Sequence, residues 1–174
     1  MTRDVRLRQL KAVFFLELRR LLRGREARAA LFFAAAPFLL ALLARTVGHH
    51  AVVPGRVEKE FAFIFQNLVL QGTLFFGTLF VFGGLLRGEQ LAKTLHHLFL
   101  APVRREVVLL GKYLAALAVT SAAFAGFMAL AYVTLLTGAG SGAAADHLAS
   151  GGAARLVAYV LVTLLACAGY GAVF

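Results

Sequence analysis

The sequence predicts an all-α fold, a polytopic membrane helical bundle of four transmembrane helices behind an N-terminal amphipathic helix. Three observations carry that expectation. Hydrophobic residues make up 61% of the chain and the mean hydropathy is +0.83, whereas a soluble domain is only about half apolar. Charge-free runs recur at the length of about 20 residues that a bilayer core demands. The net charge of +10 is gathered into alternate segments of the chain.

The elements follow in order. Over residues 1–26, Leu7, Leu10, Phe14, Leu18 and Leu21 recur at steps of three and four, which makes one helical face. Arg6, Arg8, Lys11, Arg19, Arg20 and Arg23 occupy much of the remainder. A basic amphipathic helix next to a span is expected in the membrane interface, apolar side down. The first span, about 28–46, is the shortest: 16 uncharged residues lie between Arg28 and Arg45, and both arginines can snorkel outward. Pro37 within it predicts a kink. An outer loop with the turn signal Pro54-Gly55 leads to the second span, 61–86, uncharged for 26 residues. It carries the amides Gln66, Asn67 and Gln71, which are costly in lipid unless paired. On an ideal helix Asn67, Gln71 and Thr78 share roughly one face, a candidate for interhelical hydrogen bonds or a substrate path.

The third span, 110–137, contains 25 uncharged residues and a stripe of Ala115, Ala118, Ala122, Ala125, Gly126 and Ala129 that would let another helix approach closely. Gly138–Gly152 is a glycine-rich outer loop, and its G-A-G-S-G run lacks the lysine of a phosphate loop. The fourth span, 155–174, ends on Gly-Ala-Val-Phe without the basic flank expected on the cytoplasmic side, so the chain is expected to be the beginning of a longer one.

Counting Lys and Arg by segment places 14 on one side of the membrane and 4 on the other. The positive-inside rule therefore puts the N-terminus and the segment 87–109 in the cytoplasm. The basic residues serve topology and anionic lipid; no basic–aromatic interleaving of a nucleic-acid binder occurs outside the spans. Nearly thirty polar-rich residues precede the first span, which excludes a cleavable signal peptide. The single cysteine, Cys167, cannot form an internal disulfide.

The segment 87–109 is where chemistry or docking would lie. Its His96-His97 pair points about 100° apart on a helix and cannot share a metal, as zinc pairs on helices sit four residues apart. His49-His50 share that defect, and Asp146-His147 stand too close in sequence to act as a set. No carboxylate pair or Ser/His/Asp set sits together on the cytoplasmic side, so no catalytic or metal residue is assigned. A docking element fits better. Glu89 precedes Lys93 by four residues, the favourable orientation for a helical ion pair, and Leu91, Leu95 and Leu98 share a face. Pro102 ends that short helix near Leu100. Arg104 and Arg105 follow, and the chain turns apolar again from Val107, with Lys112 at the rim.

The order Glu89, Thr94-Leu95, Leu98, Pro102, Arg104-Arg105, Gly111-Lys112 resembles the signature of ABC-2-type transporter permeases, the membrane subunits of ATP-binding-cassette exporters. That pattern runs E, T-L, L, P-x-(S/R)-R and G-K between the second and third spans. The resemblance extends over essentially the whole chain, through its order of amphipathic helix, spans and loops. It implies a connecting helix over 1–26 and an ABC-2-type transmembrane domain over 27–174, with a coupling helix in the loop 87–109. Glu89, Lys93, Thr94, Leu95, Leu98, Pro102, Arg104, Arg105, Gly111 and Lys112 would then form the coupling surface for a separate ATP-binding subunit. It further implies pairing with a second permease copy and placement in the cytoplasmic membrane with the N-terminus inside. ATP and magnesium would be bound by the partner subunit, because this chain has no Walker-type lysine loop. The family has six spans, so the visible four are expected to be the first four. The competing class is a four-helix membrane scaffold or assembly factor whose cytoplasmic loop docks some other protein. Nothing in the motif identifies a cargo.

Overall fold

The structure is a computed structural model that describes residues 3–47, 59, 61–91, 105–137 and 148–173. Among the described residues all regular structure is helical. Helix α1 spans Arg3–Arg23 and α2 spans Arg25–Val47, with Gly24 as the only residue between them. At that break the Gly24 N–H donates to the Leu21 carbonyl at 3.0 Å. The second span opens at Phe61, passes through a π-helical stretch at Phe65–Thr73 and continues as α3, Leu74–Leu91. Helix α4 spans Arg105–Thr137, and a short π-helical turn at Leu148–Gly152 leads into α5, Ala153–Val173.

Among the described residues four helices are long and apolar enough to cross a membrane: Arg25–Thr46, Phe61–Leu85, Glu106–Leu136 and Ala153–Val173. Their composition supports a membrane-embedded protein. The bundle is organised around α4. Its 33 residues reach about 50 Å at 1.5 Å per residue, well beyond the roughly 30 Å hydrocarbon core. It packs against α1, α2, α3 and α5. Two apolar clusters follow one another along it. One joins Phe124, Met128 and Tyr132 of α4 to Phe61, Phe65 and Val69 of the second span and Cys167 of α5. The other joins Ala115, Ala116 and Val119 of α4 to Leu21 of α1, Ala27 and Ala30 of α2, and Val81 and Phe82 of α3.

Close approach comes from rings seated on glycines. A Cβ at Gly77 would lie 2.6 Å from Phe124 Cζ, so α3 and α4 touch only because that side chain is missing. Of the small-residue stripe expected on α4, only Ala115 is buried; Ala118, Ala122, Ala125, Gly126 and Ala129 lie on a half-exposed or exposed side. The bundle closes instead on Ala116, Phe124, Met128 and Ala131, because rings fill the grooves better than bare backbone approach would.

Buried hydroxyls are satisfied within their own helices. Thr78, Thr120 and Thr163 each donate to the carbonyl four residues earlier, at 2.9, 2.8 and 2.8 Å. In a medium without water this back-bonding removes a costly unpaired group. Tyrosines tie helix to helix: Tyr113 donates to the Ala168 carbonyl at 2.9 Å, and Tyr170 donates to the Leu70 carbonyl at 3.3 Å. The second bond feeds an oxygen within the π-helical stretch, where the shift to i−5 bonding disturbs the regular ladder. The Thr73 hydroxyl likewise reaches back to Leu68, and the Leu74 N–H to Val69.

One expectation is refined and one corrected. The apolar face of α1 meets the bundle along part of its length: Leu21 is buried and Phe14 and Leu18 pack against the same cluster, while Leu7 is exposed. A helix surface of that composition suits an apolar groove as well as a bilayer, and α4 with α2 supplies most of the groove. Asn67, Gln71 and Thr78 do not share a face: the amides are exposed and Thr78 is buried. Each π turn adds a residue, worth about 100° of rotation, so alignment on an ideal helix is lost across Phe65–Thr73.

The glycine contact is open to test. Gly77→Ala should lower thermal stability in detergent by about 1–3 kcal/mol through overpacking, and a second change, Phe124→Leu, should recover part of it. The buried Cys167, the sole thiol, reports unfolding through its labelling by a thiol-reactive dye on heating.

Candidate functional site

The residues expected to form the docking segment divide into three groups. Lys93, Thr94, Leu95, Leu98, Pro102 and Arg104 lie outside the described residues. Glu89 and Arg105 are placed by backbone: Glu89 falls in the closing turns of α3, which runs past the expected rim to Leu91, and Arg105 opens α4. Gly111 and Lys112 are fully placed, and both are buried where α1 crosses α4.

That crossing holds the buried ion pair of the described residues. The Lys112 ammonium stands 3.2 Å from Glu17 Oε1, with Lys112 only 3% and Glu17 only 6% exposed. Arg20, one turn along α1, reaches the same oxygen at 3.6 Å with its side chain half exposed. One carboxylate is therefore held between a buried ammonium and a guanidinium at the surface. A charge taken out of water in this way is tolerated only when its partner comes with it. The pair thus fixes both the register and the rotation of α1 on α4.

Backbone geometry brings the charges together. Residues 10, 14, 17 and 21 lie on one side of α1, so Glu17 projects from the same face as Leu10, Phe14 and Leu21. On α4, a Cβ at Gly111 would lie 2.8 Å from Val13 Cγ1 and 3.1 Å from Val13 Cβ. The glycine lets α1 settle close enough for the next residue, Lys112, to reach Glu17. Beside Lys112, Tyr113 packs against Phe82 of α3 with ring centroids 5.5 Å apart and hydrogen-bonds to Ala168 of α5. Glu26, in the first turn of α2, packs along Gly84 of α3, where a Cβ would stand 3.3 Å from its Cγ. The start of α4 and the late turns of α3, which flank residues 92–104, are therefore both tied to the N-terminal helices.

Glu17 is the functional candidate that motif reading passes over. Its signal is nevertheless present: an acid at the centre of an otherwise apolar stripe, in a helix whose surface charges are nearly all basic. A carboxylate in that position needs a cation from another element. Gly111-Lys112 supplies it.

The second polar feature is the π-helical stretch. Gln66, Asn67 and Gln71 are exposed on the bundle surface, and the Asn67 amide donates to the Phe63 carbonyl at 3.0 Å. π-helical insertions occur frequently at functional positions of membrane and soluble helices. Among the described residues no three His, Cys, Asp or Glu side chains gather to hold a metal ion. The arrangement at Glu17–Lys112 can carry force and fix orientation; it has no nucleophile, open coordination position or base aimed at a substrate cavity.

No family model, no curated protein and no solved structure matches this chain.

The ion pair predicts a specific pattern of stability. Glu17→Leu or Lys112→Met alone should each cost about 3–5 kcal/mol, because each removes the close partner of a buried charge, with the loss in Lys112→Met tempered by Arg20, which still reaches Glu17 at 3.6 Å. The double variant should be markedly more stable than either single one. Cys167 labelling on heating measures all three, and equal or additive losses would contradict a coupled pair.

Proposed function

We propose that this chain is the membrane subunit of an ABC-2-type exporter, coupling ATP hydrolysis on a separate ATP-binding subunit to movement of a substrate across the membrane. The observation that carries the reading is the Glu17–Lys112 pair. The lysine of the Gly111-Lys112 step, the last element of the motif, is bound to the N-terminal helix at 3.2 Å. A permease driven from one side needs its docking segment joined stiffly to the spans. Residues 92–104 are bounded by α3 and α4, two helices of the bundle, and α4 is clamped to α1. A push on that segment would reach the second and third spans together, with α1 carried along.

In this reading Glu89, Lys93, Thr94, Leu95, Leu98 and Pro102 form the surface offered to the ATPase. Arg104 and Arg105 contact that partner or lipid phosphates, while Gly111 and Lys112 anchor the segment to α1. The N-terminus and the loop face the cytoplasm. A second permease copy completes the path, and Asn67 and Gln71, exposed beside Gln66, are offered to that path or to the second copy. Thr78 takes no part, because its hydroxyl is spent on its own helix. ATP and magnesium belong to the partner.

The test purifies the full-length chain from its native membrane together with the ATP-binding subunit that this reading requires. The two should co-purify in stoichiometric amounts, and replacing residues 89–105 by a Gly/Ser linker should abolish both co-purification and transport. Glu89→Ala should cut transport at least tenfold, far more than the few tenths of a kcal/mol that a surface ion pair supplies to stability. A stable membrane complex lacking any ATPase would mark the chain as a scaffold instead.

A further inference from the structure

With one side of α1 taken up by the bundle, a second apolar surface remains. Phe15 is 63% exposed, Leu16 67% and Leu22 61%, on a helix whose Leu21 is buried among the other helices. These side chains are interleaved with arginines. Phe15, Arg19, Leu22 and Arg23 follow the i, i+4, i+7, i+8 spacing of a single helix face. Together with Leu16, Leu18 and Arg20 they line a shallow hollow, with no acidic side chain among the described residues of its wall. Glu17, the nearest carboxylate in sequence, points the other way into its pair with Lys112. Arg19 and Arg23 make no ion pair among the described residues, whereas Arg20 is engaged by Glu17.

We infer that this hollow binds anionic phospholipid, with the arginines on the headgroup phosphate and the apolar residues against the upper acyl chains. The level of the hollow favours lipid. Arg23 is separated by Gly24 alone from Arg25, where the first helix able to cross a membrane begins. The last turns of α1 therefore lie at the depth where hydrocarbon gives way to headgroups. Phe15 and Leu22 have an apolar medium on one side, and Arg19 and Arg23 have phosphate on the other. Uncompensated positive charge combined with exposed apolar side chains, at the edge of a span, matches an anionic bilayer surface in both chemistry and position. The inference is independent of the exporter reading, since it uses only α1 and its junction with α2.

The experiment takes the full chain, reconstituted in nanodiscs of phosphatidylcholine and phosphatidylglycerol at seven to three, and counts the lipids retained by native mass spectrometry. The wild-type protein should retain phosphatidylglycerol above its share of the mixture. Arg19→Gln and Arg23→Gln should each lower the retained phosphatidylglycerol-to-phosphatidylcholine ratio toward that of the mixture, with the affinity of the hollow for phosphatidylglycerol falling by about fivefold, the ratio equivalent to one basic residue at an anionic surface. The double change to lysine should preserve it. Arg155→Gln, a charge change in the first turn of α5 and far from α1 in sequence, should leave it unaltered. Unchanged enrichment in the Arg19→Gln/Arg23→Gln double variant overturns the proposal, and so does an equal loss in Arg155→Gln. If enrichment persists in that double variant while a soluble subunit no longer co-purifies, the hollow is a protein-docking face and the lipid assignment is wrong.

Discussion

A carboxylate and an ammonium buried together at the crossing of α1 and α4 set the geometry of this end of the molecule. Apolar contacts alone leave a helix free to slide or roll in a groove, because hydrophobic burial has no direction. An ion pair withdrawn from water does not allow that freedom: half a turn of rotation in α1 would pull Glu17 away from Lys112. The cost of burying them makes the pair a poor source of net stability and a strong determinant of arrangement. Gly111 belongs to the same device, since without its bare backbone Val13 would hold α1 away and Lys112 would not reach.

The remaining architecture can be followed outward from that crossing. Tyr113, next to Lys112, passes the constraint to α3 through Phe82 and to α5 through the Ala168 carbonyl. Glu26 packs on Gly84 and brings the start of α2 to the same place. Further along α4 the contacts become aromatic, with Phe61 set edge-on to Tyr132 and Tyr159 at 4.9 and 5.0 Å. Threonines in between donate mainly to carbonyls of their own helices, and Thr163 also lies 4.0 Å from Met128 Sδ across the α4–α5 contact. The bundle is thus most tightly specified at the end where α1 lies. That is where a docking segment would deliver force if the exporter reading holds.

Much of the fold was legible in the residues, for a physical reason. A bilayer imposes long charge-free runs, and such runs are visible without knowledge of any contact; four helices long and apolar enough to cross a membrane appear among the described residues where those runs lie. What α1 packs against was not legible. Leu10, Phe14, Leu18 and Leu21 would suit lipid or a neighbouring helix equally, and only Glu17 on that face distinguishes the two. Thr78 was grouped with Asn67 and Gln71 because a constant rotation per residue was assumed, and the π-helical stretch breaks it. No rule of periodicity announces such an insertion, although Gly72 and the amides around it mark an irregular helix. Of the candidate site, Gly111 and Lys112 were found through their motif, but their partner on α1 was not. A buried ion pair joins residues nearly a hundred positions apart, and neither side chain alone identifies the other.

The seating of α1 on α4 can be measured directly by crosslinking. With Cys167 replaced by serine, cysteines at positions 13 and 111 test the contact: Val13→Cys removes the Cγ1 that a Cβ at Gly111 would meet at 2.8 Å, and the 3.1 Å between the two Cβ positions need widen only by a few tenths of an ångström to reach the roughly 3.5–4.5 Å of a disulfide. Mild oxidation of native membranes should yield an intramolecular disulfide in high yield, identified by mass spectrometry of the linked peptides, and Glu17→Leu should suppress it. Absence of that crosslink, or equal yield from a cysteine on the opposite side of α1 at position 16, would contradict the arrangement.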